Sequence, residues 1–215
     1  ETIISHMESL VCYPDIHYRN LKRELANYLG CEVENVLVGN GAMEIIDLAI
    51  QASERIIAYY PGFVEYAKRS QVLNKDLIEL PLGEDFKFEI DGLEEYLEED
   101  TLVVRGNPNN PTGFRIDEKT LTQLMDLVKD KGANLLLDEA FFEFVHEDYD
   151  TIDLFREDRY ENLIVVRAAT KFFGLPGIRL GYGCTHPKMR ARLEELQLPW
   201  SVNALADAVG QTLND

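Results

Sequence analysis

Along this chain, apolar positions alternate between the spacing of amphipathic helices and short unbroken runs that read as strands covered on both faces. In residues 18–29, Leu21, Leu25 and Leu29 share one helical face, and Gly30 closes the element as a C-cap. Residues 36–38 read as a strand running into Gly39-Asn40-Gly41-Ala42, after which Ile45, Ile46, Leu48, Ala49 and Ile50 mark a helix. A strand over 55–60 ends at Pro61-Gly62, and is followed by a helix over 65–71 and a strand over 77–82. Residues 90–98 are expected to form a helix, and 101–105 a strand. Asp117 opens a long helix to residue 131, whose buried stripe is Leu121, Leu124, Met125, Leu127 and Val128, with Gly132 as its stop. Strands over 134–137, 162–166 and 179–184 and a helix over 187–196 complete the alternation. The pattern predicts an α/β fold with a largely parallel sheet.

Composition narrows the setting. A chain of 215 residues with 46% hydrophobic content can bury the core of one large domain, and nothing in it resembles a repeat or an interdomain linker. The formal charge of -18, from 39 acidic and 21 basic residues, argues against a nucleic-acid partner or an anionic membrane surface, so any bound phosphate must be held locally. Cys12, Cys31 and Cys184 are odd in number and widely spaced, which suggests neither a disulfide framework nor a metal site. A soluble protein of a reducing cytoplasm fits, because no apolar run reaches about eighteen residues and no signal sequence is recognisable.

Candidate chemistry collects where strands end, which is where open α/β sheets place ligands. Gly39-Asn40-Gly41-Ala42-Met43-Glu44 is a glycine turn entering a helix, equally consistent with an anion site on free amides and with a plain turn. It lacks the third glycine of a dinucleotide fingerprint and the lysine of a P-loop. Asn107-Pro108-Asn109-Asn110-Pro111-Thr112-Gly113 holds amides at a strand end, although turns favour these residues anyway. Asp138 follows three leucines; a carboxylate there needs a cation or hydrogen bonds, or it caps a following helix. Lys171 and Arg179, eight residues apart, suit a cofactor aldehyde and its phosphate, or form an ordinary solvated pair.

Taken in order, Asn-Asn-Pro-Thr-Gly at 109–113, Asp-Glu-Ala-Phe at 138–141 and Thr-Lys-Phe-Phe-Gly-Leu-Pro-Gly-Ile-Arg-Leu-Gly-Tyr at 170–182 resemble the fold type I, class I/II pyridoxal 5'-phosphate (PLP) aminotransferases. The likeness runs from about Tyr13 to Ala206. It implies a three-layer α/β/α domain with a mostly parallel sheet, acting as a homodimer. Residues 1–14 would be a remnant of the N-terminal arm and residues 15–215 the PLP-binding large domain, with the small C-terminal domain missing. By the resemblance, Lys171 carries the cofactor as a Schiff base and shuttles the substrate proton, and Asp138 keeps the pyridine nitrogen protonated. Asn110 donates to the phenolic oxygen and Phe63 stacks on the ring. Gly41, Ala42 and Met43, with Thr170 and Arg179, hold the phosphate, and Tyr13 reaches the phosphate in the other subunit. No metal is implied.

Departures from the pattern bear on which member this is. Phe141 stands where most relatives have a tyrosine, and Ala168 where they have serine or threonine facing the phosphate. Asp-Glu-Ala-Phe, with Pro199-Trp200-Ser201-Val202-Asn203-Ala204, resembles the threonine-phosphate decarboxylases of cobalamin synthesis more than the histidinol-phosphate aminotransferases. No arginine is assignable to the substrate carboxylate. A small phosphorylated amino compound is the expected substrate; a PLP-binding domain without turnover and a nucleotide binder using the Gly39 turn are the competing readings.

Overall fold

Seven strands share one mixed sheet in the computed structural model, which describes residues 2–145, 149–156 and 160–213. In chain order the elements are α1 (Thr2–Ser5), α2 (Arg19–Leu29), β1 (Val36–Asn40), α3 (Ala42–Gln51), β2 (Arg55–Tyr60), α4 (Glu65–Val72), β3 (Asp76–Pro81) and β4 (Thr101–Gly106). They continue with α5 (Glu118–Asp130), β5 (Asn134–Asp138), α6 (Thr151–Arg156), β6 (Leu163–Ala168), β7 (Leu180–Thr185), α7 (Pro187–Leu196) and α8 (Ala204–Gly210). The strand order is β1-β7-β6-β5-β4-β2-β3. The run from β6 to β3 is parallel, while β7 lies antiparallel between β1 and β6.

The central strands divide their side chains between two apolar layers, as a two-residue period requires. From β4, Val103 joins a cluster with α2, α5, α6 and α8, whereas Leu102 and Val104 join one with α3, α4 and α7. Strand β5 repeats the division, with Leu135 and Leu137 on the first side and Leu136 on the second. This is the expected three-layer α/β/α arrangement. The helix over 117–131 keeps its stripe except for Leu127, which is only partly buried.

Three expectations are corrected. Residues 90–98 form no α-helix; a 3-10 turn at Leu93–Tyr96 replaces it. Gly92 enters that turn in the left-handed region, at φ 79°, and the glutamates on either side leave only Leu93 and Leu97 to be buried. The strand expected over 77–82 is shifted one residue earlier, to Asp76–Pro81. The strand expected over 179–184 begins at Leu180, because Arg179 takes φ 60°, outside extended geometry.

Helix α5 is capped by Asp117, whose Oδ1 accepts from the Thr120 amide at 3.0 Å. Asp117→Ala is expected to cost about 1 kcal/mol. In a chain of this size that lowers the thermal midpoint by about 2–4 °C, a shift that calorimetry resolves.

Candidate active site

The carboxyl ends of β4, β5 and β6 open on one crevice. From β4 the chain enters the loop 107–113, which the structure braces from below. Asn107, fully buried, donates to the Tyr149 hydroxyl at 3.0 Å and accepts from the Ile116 amide at 3.0 Å. Asn109 donates to the Pro61 carbonyl at 3.1 Å and to Thr112 Oγ1 at 2.9 Å. Two of the three asparagines therefore build the loop, and the third, Asn110, is exposed at the crevice. The turn reading holds for Asn107 and Asn109.

Phe63, Asn110, Asp138 and Lys171 line one cleft of 100 Å³, together with Tyr66 and Phe141. Phe63 meets Tyr66 edge-on, with ring centroids 5.4 Å apart. Lys171 Nζ lies 5.8 Å from the centre of the Phe141 ring. A contiguous cavity of 330 Å³ shares Asn110 and Phe141 and extends to Phe144 and Val145.

Asp138, at the end of β5, is buried. Its Oδ2 accepts from the Tyr66 hydroxyl at 2.7 Å and its Oδ1 from the Ala140 amide at 3.0 Å. No α-helix follows for it to cap. Among the described residues no cation pairs with it. Burial pushes its carboxyl above the ordinary 3.8, and the two hydrogen bonds oppose that rise without cancelling it. A carboxyl that holds its proton more tightly when folded stabilises the fold fully below pH 3.8, and this contribution falls away as pH rises through the folded value. Asp138→Asn does not titrate there, so its stability relative to the parent protein should grow between about pH 4 and pH 7 in urea unfolding. Parallel pH curves would refute the shift.

A second group lies at the start of α3. Gly41 is the N-cap at φ 79°, no side chain caps the helix, and Ala42 and Met43 are its first residues, whose amides have no intrahelical acceptor. The Arg179 guanidinium covers Gly41, where a Cβ would run into it, and donates to the Pro176 carbonyl at 3.1 Å. Gly181 of β7 packs so closely that a Cβ there would strike Gly41 and the Ala42 amide. Ala42, Met43 and Phe63 pack against the same apolar cluster, which ties this turn to the cleft wall. Thr170 is half-buried between Ala169 and Lys171, and Ala168 is buried at the end of β6. Tyr13 stands outside both groups, 80% exposed, with its ring 4.8 Å from that of Trp200.

Two features escape a sequence reading. Tyr66 sits on α4 as one more apolar-facing residue, and only the fold shows its hydroxyl reaching Asp138. Beside Asp138, Glu139 is fully buried and receives two bonds from Arg167, at 3.0 and 2.8 Å, and one from Thr151 at 2.5 Å. Arg167 also reaches Asp150 at 2.7 Å and lies 3.6 Å from the Phe142 ring centre. Burial works against its charge, yet Glu139 and Asp150 outweigh that and hold it protonated beyond the usual arginine range. An acidic pair at the end of β5 and an arginine near the end of the neighbouring strand β6 were the available signal.

The family profile described as aminotransferase class I and II matches residues 2–215. The chain belongs to that family. As a class I and II aminotransferase homologue, it is 41% identical over 207 residues to a Caldanaerobacter subterraneus protein provisionally named threonine-phosphate decarboxylase, an overlap of 94% of this chain and 56% of that protein. It is 34% identical over 203 residues to a histidinol-phosphate aminotransferase of Anaeromyxobacter, covering 92% of this chain and 56% of the relative. The crystal structure of histidinol-phosphate aminotransferase from Clostridium acetobutylicum superimposes with a TM-score of 0.90 at 30% identity, covering 99% of this chain and 65% of that one. The chain thus spans little more than half the length of these two curated relatives. Among its described residues no helix is long and apolar enough to cross a membrane, and no group of side chains is arranged to hold a metal.

Proposed function

We propose that the cleft holds pyridoxal 5'-phosphate and that this chain is the large, cofactor-binding domain, residues 15–215, of a homodimeric enzyme acting on a small phosphorylated amino compound. The observation that carries this reading is the meeting of Lys171, Asp138, Asn110 and Phe63 in one cleft, from four separate segments. The donor set fits the group. Asp138 is a buried carboxylate with hydrogen bonds but no cation among the described residues, and a protonated pyridine nitrogen supplies that charge. The α3 amides and Arg179 suit a phosphate dianion.

When bound, the cofactor supplies an electron sink for the bonds at a substrate's α-carbon. The chain supplies the rest. Lys171 offers the amine that holds the cofactor aldehyde and afterwards moves a proton at the α-carbon. Asp138 keeps the ring nitrogen protonated, and Tyr66 and Ala140 keep Asp138 in place. Asn110 donates to the phenolic oxygen, and Phe63 covers one face of the ring. Gly41, Ala42, Met43, Thr170 and Arg179 hold the phosphate; Ala168 adds no donor. Tyr13, exposed here, is available to the site of a second copy.

Decarboxylation of L-threonine O-3-phosphate is the favoured reaction, with transamination of histidinol phosphate as the alternative. Phe141 lines the cleft without a hydroxyl, and the similarity to the protein named as a decarboxylase is the higher of the two. Carbon dioxide release without 2-oxoglutarate supports the first reaction; dependence on 2-oxoglutarate supports the second. The cofactor assignment is tested by adding PLP, reducing with borohydride and mapping the peptides. The label is expected on Lys171, and a label on any other lysine overturns the reading.

A further inference from the structure

A cavity of 340 Å³ opens on the side of the sheet covered by α5, away from the residues that line the cleft. Its floor is Arg105 of β4, and its walls include Lys87, Phe88, Phe114, Arg115 and Asp117. Arg115 is engaged by the Tyr149 carbonyl at 2.6 Å, and among the described lining residues Lys87 and Arg105 stand against one carboxylate, Asp117, in a chain of net charge -18.

Arg105 is the unusual member. It is 1% exposed, yet among the described residues no carboxylate pairs with it, and its Nε has no hydrogen-bond partner. Its polar contact is a bond from NH1 to Asn109 Oδ1 at 3.2 Å, and its guanidinium lies 5.6 and 5.5 Å from the ring centres of Tyr59 and Phe88. Arg167, also buried, has two carboxylates. Burial without a counter-charge is unfavourable, and it pulls Arg105 down to about 10. The position has the form of an ion pair with one half supplied from outside.

We propose that this cavity binds a small organic anion, a phosphate or carboxylate head on an apolar body, with the head paired to Arg105 and Lys87 and the body between Phe88 and Phe114. Asn109 links the cavity to the loop 107–113, since the side chain that accepts from Arg105 also donates to Pro61 and Thr112. An occupant therefore bears on the loop that carries Asn110. The site itself does not depend on the cofactor reading.

Phenyl phosphate and benzoate, titrated calorimetrically into the protein, test the proposal. At least one is expected to bind, and the tighter of the two identifies the head group. Lys87→Glu should weaken binding by about fivefold, Asp117→Asn, which keeps the helix cap, should tighten it, and Arg105→Gln should weaken it more than tenfold. The first two positions are exposed, so they report even if Arg105→Gln fails to fold. Arg179→Ala should leave the affinity unchanged, and amide shifts on ligand addition should include residues 109–113. Absence of binding by both probes, indifference to Lys87→Glu and Asp117→Asn, or loss of binding in Arg179→Ala overturns the proposal. Failure of Lys171 to take a borohydride label would leave it standing.

Discussion

Lys171→Ala is expected to abolish reductive labelling by pyridoxal 5'-phosphate and borohydride, and with it the aldimine absorbance band and any turnover. Among the described residues that line the cleft, the amine is the one group able to form the covalent bond; Asn110, Asp138, Tyr66 and the two phenylalanines offer none. The side chain is exposed at the cleft mouth, so its removal leaves no cavity in the core, and thermal stability should stay within about 0.5 kcal/mol of the parent. That combination separates a lost chemical group from a lost fold. Weak, reversible cofactor binding should persist, because the phosphate group at α3 and the contacts of Asp138 are untouched. Retention of the borohydride label in Lys171→Ala would remove the lysine from its proposed role.

Arg167→Ala is expected to be the most damaging single change to stability, at about 3–5 kcal/mol, because it strands Glu139 in the core with a charge and no cation. At this chain length the loss corresponds to a fall of about 10 °C in the thermal midpoint. The double change Arg167→Met with Glu139→Leu removes both charges and should recover much of that loss, a non-additivity that denaturation measures directly. If the single and double variants fall equally, the pair contributes packing rather than charge compensation. Because Glu139 adjoins Asp138 and its amide donates to Val166 at 2.7 Å, the pair also fixes where β5 ends.

The layered fold was legible because buried parallel strands carry their signal in composition. Leu135, Leu136 and Leu137 read as a strand covered on both faces, and the leucine stripe of α5 reads as a helix. Residues 90–98 misled for a local reason: Leu93 and Leu97 are spaced as on a helix, but a left-handed Gly92 and flanking glutamates let one 3-10 turn bury both. At the site, Lys171, Asp138 and Asn110 stood out as polar residues at strand ends. What periodicity cannot carry is a partner supplied from another segment. The Tyr66 hydroxyl on Asp138 and the pairing of Glu139 with Arg167 bridge 72 and 28 residues of sequence. Arg105 was read as a strand residue, since nothing local marks an arginine as lacking a counter-ion.

Strand β7, running against both neighbours, brings the chain back to the same edge from which β6 left it. The segment between them is closed at its neck by the Ala169 amide donating to the Leu180 carbonyl at 3.1 Å. Lys171 sits beside that neck, its carbonyl accepts from the Gly174 amide at 3.1 Å, and the Leu175 amide donates to the Ala169 carbonyl at 3.3 Å. A change of length within this segment should therefore be felt at the lysine, because the turn that follows it is bonded back onto Lys171 and Ala169. The short link from β6 to β7 is thus a tether of fixed length, and the position of the reactive amine is set by both of its ends.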